Sequence, residues 1–344
     1  MKTFELQKSI QHPVLITDPK MIHYFTGESF HVAERFIGLL VSPHFVHLFL
    51  NDLFPTQFSS GELVRFNDAQ DAIKVLAPYL KTDKLYVDRQ MQAGFLLRLM
   101  KDLPLLAIEI DQQADRVRAI KNADEIEKMR KASHLNDLAM REVKKLMIPG
   151  VTESQVASQI ESIFMSLGAD ALSFAPIVAF GDNTADPHAT PGNRVLKEVD
   201  SIIVDMGCKK DGYCSDMTRS FLVGDSPMKK IYEVVLKANL AAIQAVKPGV
   251  PFKHIDQAAR DVITQAGYGD YFIHRTGHGI GQDVHEPYDV SSVNETLTQV
   301  GMIFSIEPGI YIPGLGGIRI EDLVCVTLDG VEVLNQDSKT QAQR

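Results

Sequence analysis

The sequence predicts a mixed α/β (α+β) chain of two domains, a small α/β N-terminal domain and a larger pseudo-two-fold domain. Three observations lead there. The chain has 344 residues, more than one ordinary core accommodates and enough for two. Its first third alternates short apolar runs with helical patterns. The remainder carries two similar segments punctuated by Pro-Gly pairs. The apolar fraction of 45% and charged fraction of 23% are those of a globular protein.

Composition also excludes several functions. The net charge of −9 argues against nucleic acid as a partner, which needs a concentrated basic face. Basic residues do gather between Arg116 and Lys131, but Asp115, Asp124, Glu125 and Glu127 interleave with them as on a solvated helix. No apolar run approaches the roughly 18 residues of a membrane span, so no membrane partner is expected. The segment Met1 to Gln11 lacks the apolar centre of a secretory signal. Cys208, Cys214 and Cys325 are odd in number and unclustered, which fits a reducing compartment. The cytoplasm is the expected location.

The N-terminal domain is expected over residues 1–115. Phe36 to Val41, Val46 to Leu50 and Lys84 to Val87 read as strands. Met91 to Leu103 reads as a helix, with Phe95, Leu96, Leu99 and Met100 at helical spacing. Polar Asp111 to Lys121 reads as a connector. The loop from Gly27 to Arg35, rich in polar groups such as His31, Glu34 and Arg35, is expected to reach toward an active site, its own or that of a partner subunit.

The second domain is expected over residues 122–344. Asn122 and Glu125 form a capping-box pattern, followed by Ile126, Met129, Leu135, Leu138 and Leu146 along one helix face. Pro149-Gly150 stops that helix. Thr152 and Gln155 cap a second helix carrying Val156, Ile160, Ile163 and Leu167 and ending at Gly168. A shift of ninety-nine residues places Pro149, Gly150 and Val151 on Pro248, Gly249 and Val250, Val156 on Ile255, and Gly168 on Gly267. Ser226-Pro227, a cap followed by proline, opens the helix before the second Pro-Gly pair. Two such halves pack about a pseudo-two-fold axis with a cleft between them.

Acidic residues occupy strands that otherwise read as buried. Asp205 and Asp216 lie on either side of the turn Lys209-Lys210-Asp211-Gly212, so a hairpin brings them roughly opposite one another. Glu307 and Glu321 lie symmetrically about Gly314 in a second hairpin. Like charges across a ladder repel, and two such pairs ask for cations. His274, His278 and His285 follow one another in a glycine-rich stretch, where the glycines flanking His278 allow close approach to a bound group. Four carboxylates and an imidazole suit Mn²⁺, with Co²⁺ or Zn²⁺ as alternatives. Cys208 and Cys214 lack the spacing of a zinc site and read as small strand residues.

The pattern Asp205, Asp216, His278, Glu307 and Glu321 resembles the pita-bread metallopeptidases, which include methionine aminopeptidase, aminopeptidase P and Xaa-Pro dipeptidase (prolidase). Segments Ile177 to Gly181, Pro187-His188, Asp205 to Gly207, Ser215 to Arg219, Gly277 to Gly281, Val284 to Glu286, Ile306 to Gly309 and Arg319 to Asp322 carry the likeness. Met21 to Leu40 resembles, more weakly, the creatinase-type N-terminal domain of the proline-directed members. The resemblance implies a pita-bread catalytic domain, with helices outside a curved antiparallel sheet, and a homodimer.

It also implies two divalent metal ions held by Asp205, Asp216, His278, Glu307 and Glu321, with a hydroxide between them attacking the scissile carbonyl. Glu307 would shuttle the proton, and His188 and His285 would bind substrate and stabilise the tetrahedral intermediate. His274, Tyr311 and Arg319 match pocket positions. Arg275, three residues before His278, resembles the prolidases and could grip the carboxylate of a dipeptide. The expected substrate is a small peptide with proline in second position. Aminopeptidase P activity on longer peptides, a metal-free enzyme of the creatinase kind and an inactive peptide-binding homologue are the alternatives. The last two predict missing ligands, and all five ligand positions are filled.

Overall fold

The computed structural model describes residues 2–339. They form two compact units that divide between Arg118 and Ala119. Among the described residues no helix is long and apolar enough to cross a membrane.

In the first unit α1 (Lys2–Ser9), β1 (Val14–Ile16), α2 (Pro19–Thr26), β2 (Gly38–Val41), β3 (Val46–Asn51), β4 (Glu62–Phe66), α3 (Ala72–Leu76), β5 (Lys84–Val87), α4 (Ala93–Asp102), β6 (Ala107–Ile110) and α5 (Gln113–Ala119) follow in order. The strands form one mixed sheet in the order β4-β3-β2-β1-β5-β6. Its central strands β1 and β2 read as unbroken apolar runs because both of their faces are covered. Ile16, Leu39 and Leu48 enter one core with α1 and α2, while Leu15, Leu40 and Phe49 enter another with α3 and α4.

Two expectations change here. Met100 is exposed, because α4 buries only Leu99 fully. The connector is largely helical: the Asp111 carboxylate accepts from the backbone N–H groups of Gln113 at 3.1 Å and Ala114 at 2.8 Å and so starts α5. In the Gly27 to Arg35 loop, Phe30 and Val32 are buried in their own unit and Arg35 is held by Asp68.

The second unit contains α6 (Ala123–Leu146), α7 (Glu153–Ser166), β7 (Ala171–Leu172), β8 (Ile177–Phe180), β9 (Ser201–Met206), β10 (Cys208–Lys210), β11 (Tyr213–Cys214) and β12 (Met217–Leu222). Its second half adds α8 (Lys229–Ala245), α9 (Phe252–Gln265), β13 (Gly277–Gly279), β14 (Glu286–Val290), β15 (Ile303–Ile306), β16 (Gly309–Ile312), β17 (Gly316–Arg319), β18 (Asp322–Val326) and β19 (Val331–Val333). Both capping boxes form, at Asn122 with Glu125 and at Thr152 with Gln155.

The internal repeat is present. Helices α7 and α9 have the same length of 14 residues and start ninety-nine positions apart. Left-handed glycines mark equivalent corners, Gly150 and Gly249 before the helices and Gly168 and Gly267 after them. Each half has its own core, with α6 and α7 on β8, β9 and β12 and with α8 and α9 on β14, β15 and β18.

Two local readings are corrected. The buried face of α6 runs through Met129, Ala132, Ser133, Asn136, Asp137, Met140 and Val143, while Leu135 and Leu138 are only partly buried. Its polar members have work to do: Asn136 donates to the Met206 carbonyl at 2.8 Å, and Asp137 accepts from the backbone of Gln336 and Asp337. Helix α8 starts at Lys229 rather than after Ser226, which shapes the preceding turn by accepting from the Met228 and Lys229 N–H groups.

The two halves meet where β12 lies beside the β17–β18 corner. Ser220 Oγ donates to the Arg319 carbonyl at 2.8 Å and accepts from its N–H at 3.0 Å, and the Glu321 N–H donates to the Thr218 carbonyl at 3.1 Å. Between them Arg219, 1% exposed, donates to the carbonyls of Thr218, Glu321 and Asp337 and to the Asp322 carboxylate. Removing one partner of a buried ion pair strands the other charge. Arg219→Met is therefore expected to lower unfolding stability by about 3–5 kcal/mol, read as a lower midpoint in urea at unchanged slope.

Candidate metal centre

Each acidic residue of interest sits at or beside a break in a strand. The ladder of β9 with β12 pairs Met206 with Met217 and Asp205 with Thr218, and β10 with β11 continues the same register toward the Asp211-Gly212 turn. Asp205 thus faces Thr218, and Asp216 lies across from Gly207, between the two ladder segments. The pair is offset by two residues from the expected opposition, because the tight turn is Asp211-Gly212 alone, both at positive φ. Residues offset by two still share a sheet face. In the second half, β15 with β18 and β16 with β17 keep one register, in which Glu307 and Glu321 fall opposite each other at the interruption.

Asp216, His278 and Glu321 are buried and bring ligand-type atoms within 4.8 Å of one another. His278 Nε2 lies 3.6 Å from Asp216 Oδ2 and 3.4 Å from Glu307 Oε1. Its Nδ1 faces the Gly279 carbonyl at 3.1 Å, which can only accept, so the ring proton belongs on Nδ1. Burial lowers the imidazole pKa to about 4, keeping it neutral. The Nε2 lone pair therefore points at two carboxyl groups as an open donor.

The carboxylates are equally short of partners. Asp205 Oδ1, Asp216 Oδ1 and Glu321 Oε1 are buried without a hydrogen bond. Burial, then the charges of Glu321, Asp205 and Glu307, holds the Asp216 carboxyl well above its usual range. Burial, then Glu307 and Asp205, does the same for Glu321, and burial raises Glu307. Such a donor set fits hard divalent cations, which neutralise the charge and occupy the open oxygens.

The remaining oxygens are oriented. Arg319 Nη2 donates to Asp205 Oδ2 at 2.8 Å, and its Nε to Thr218 Oγ1 at 3.1 Å. Thr218 in turn donates to Glu321 Oε2 at 2.8 Å. Ser305 Oγ accepts from the His278 N–H and donates to Glu307 Oε1, both at 3.0 Å. Arg319 also donates to the Tyr311 hydroxyl at 3.0 Å, and that hydroxyl lies 2.9 Å from His274 Nε2. Since His274 Nδ1 faces the Arg275 carbonyl at 2.7 Å, Nε2 is the acceptor and Tyr311 donates to it. Burial pushes the Tyr311 phenol up to about 12 and lowers the His274 pKa.

Other expected residues lie further out. The His285 ring meets that of His278 edge-on at 4.3 Å, and burial lowers its pKa. His188 is exposed; its neighbour Pro187 offers its carbonyl to Arg319 at 3.1 Å. Arg275 is exposed and, among the described residues, forms no hydrogen bond or ion pair through its guanidinium. The glycines beside His278 serve the sheet rather than a bound group: a Cβ on Gly277 would collide with the Ser305 carbonyl, and one on Gly279 with that of Pro287.

Sequence reading missed the groups that hold the histidine-bearing loops. Glu153, 1% exposed, accepts from the Phe180 N–H at 2.8 Å, the Gly192 N–H at 3.0 Å and the Asn183 side chain, gathering the segment around His188. Glu286, buried against Lys121 at 3.0 Å, accepts from the Gln282 N–H at 2.9 Å and shapes the turn before His285. Capping-type spacing placed Glu153 on a helix but said nothing of its backbone partners.

Residues 127–328 match metallopeptidase family M24. A peptidase of Staphylococcus aureus (strain bovine RF122 / ET3-1) is 38% identical over 350 residues, covering 97% of each chain. The chain belongs to this family. As an M24 member it is a metallopeptidase, and the family's pita-bread fold accounts for the repeated helices and hairpins. Two solved structures are similar throughout: the dipeptidase PepE of Mycobacterium ulcerans (TM-score 0.92, 33% identity, 99% of this chain and 95% of that one) and the prolidase of Thermococcus sibiricus (TM-score 0.87, 33%, 99% and 97%).

Because burial raises the Asp216 and Glu321 pKa values, the metal-free M24 chain carries protons there that the unfolded chain has lost. That contribution to stability disappears as pH rises through the raised values. A cation must displace those protons. Adding Mn²⁺ to metal-free protein in weakly acidic buffer is expected to release protons, with affinity rising as pH rises. Calorimetry in two buffers of different ionisation enthalpy measures the release, and Glu321→Gln should reduce it.

Proposed function

We propose that the chain is a prolidase-type Xaa-Pro dipeptidase in which Asp205, Asp216, His278, Glu307 and Glu321 hold two divalent cations, Mn²⁺ being the best match. One observation carries the reading: buried acidic side chains converge on a neutral Nε2, and three of their oxygens lack any hydrogen bond. When bound, the ions supply Lewis acidity and a water acidified toward neutral pKa.

The chain's own groups supply the rest. Glu307 is more exposed than Asp216 or Glu321 and has one oxygen fixed by Ser305, which suits it to carry a proton to the departing imino nitrogen. His285 and His188, more exposed than the acids, are placed to hydrogen-bond a substrate carbonyl as it gains negative charge. The chain Asp205–Arg319–Tyr311–His274 fixes one ligand carboxylate and one pocket histidine together.

Arg275 favours dipeptides. Among the described residues its guanidinium has no ion-pair partner, and its charge adds to the burial that lowers the pKa values of His278 and His285. A planar fork there can take the free carboxylate of Xaa-Pro with two hydrogen bonds. The likeness to the Thermococcus sibiricus prolidase supports the same substrate class.

Turnover of Ala-Pro, Ala-Pro-Ala and Met-Ala with Mn²⁺ tests the proposal. Ala-Pro is expected to be the best substrate, activity to vanish with chelator, and metal analysis to give up to two ions per chain. Preference for Met-Ala would sink it. Arg275→Ala should raise KM for Ala-Pro by about 10- to 100-fold, the loss of a charge-assisted bidentate contact, with far less effect on Ala-Pro-Ala.

A further inference from the structure

We infer that Asp256, acting with Arg260, is a positioning residue for substrate recognition, holding from α9 the loop that presents His274 and Arg275. Asp256 is completely buried. It pairs with Arg260 one turn on, with Nε 2.6 Å from Oδ2 and Nη2 3.2 Å from Oδ1. Hydrophobic residues of similar volume often replace such a pair without loss of stability, so ion pairing alone does not account for it.

What the pair holds does account for it. Asp256 Oδ1 accepts from Thr276 Oγ1 at 2.7 Å and from the Thr276 N–H at 3.2 Å. Arg260 donates to the Phe272 carbonyl at 3.2 Å and the His274 carbonyl at 2.6 Å, and its guanidinium lies 4.3 Å from the centre of the Phe272 ring. Residues 272, 274 and 276 are thus tied to α9, while the alternate residues Ile273 and Arg275 face outward. Among the described residues the Arg275 guanidinium has no bond to set its direction, so the clamped backbone on either side sets it. The same clamp reaches the acids, because the Thr276 carbonyl accepts from the Glu307 N–H at 2.7 Å. In the first half, Glu153 at the start of α7 holds the His188 segment in a comparable way.

The inference rests on the reading that Arg275 receives the substrate carboxylate, and the two are tested separately. Arg275→Ala alone decides that reading: equal effects on Ala-Pro and Ala-Pro-Ala overturn it. Asp256→Asn decides the clamp. Amides from Phe272 to Thr276 are expected to exchange with deuterium faster in the metal-free variant, while Mn²⁺ content after reloading is unchanged. KM for Ala-Pro should rise about tenfold with kcat held within about threefold, and adding Asp256→Asn to Arg275→Ala should raise KM no further. Unchanged exchange, a loss confined to kcat, or effects that multiply in the double variant would each overturn the inference. Should Asp256→Asn fail to fold, Thr276→Val removes the 2.7 Å bond alone and must show the same pattern, weaker by about threefold.

Discussion

Carboxylates do not gather in a protein interior unless something holds them there against their mutual repulsion. Here the holding is done by the join between two halves of one repeated unit. Thr218, Arg219 and Ser220 from the first half clasp the backbone and side chains of Arg319 to Asp322 from the second. Each half brings its acids to an interruption of its own hairpin, and the join brings the interruptions together. The charge left over is the imprint of the cations for which the site is built. Everything functional in the second unit depends on that join, because neither hairpin by itself offers more than two acids.

Acids and histidines are held by different means. The acids stand on or beside strands whose register is fixed by long ladders, so their separation is set by backbone geometry. His188, His274 and His285 stand on irregular segments, each gathered by a carboxylate that is not itself among the five. Backbone N–H groups and buried acids do for these loops what ladders do for strands.

Much of this was legible in the chain. Capping boxes at Asn122 and Thr152, the corner glycines and the equal helices α7 and α9 all follow from local chemistry that survives folding. The opposition of Glu307 and Glu321 was legible because a glycine-rich turn marks the centre of their hairpin. The Asp205 and Asp216 offset was not, since Lys209-Lys210-Asp211-Gly212 admits several turn centres and only the strand pairing selects one. Asn136 and Asp137 were passed over on α6 because apolar periodicity ignores polar residues that bury themselves by bonding to backbone. Glu153, Asp256 and Glu286 escaped for a related reason: each holds main-chain N–H groups of a distant or irregular segment, and those leave no mark in a sequence.

Residues near the end of the chain close the interior of the second unit. Arg219 bonds to the Asp337 carbonyl across 118 positions, and Asp137 receives the Asp337 N–H across 200. Lys339 brings its ammonium to Asn239, 100 positions earlier. Contacts of such separation form late, since loop closure must come first. On the ribosome, the helices of the first half emerge long before the segment that completes them. The interior of the second unit therefore cannot close until the segment around Asp337 and Lys339 has emerged.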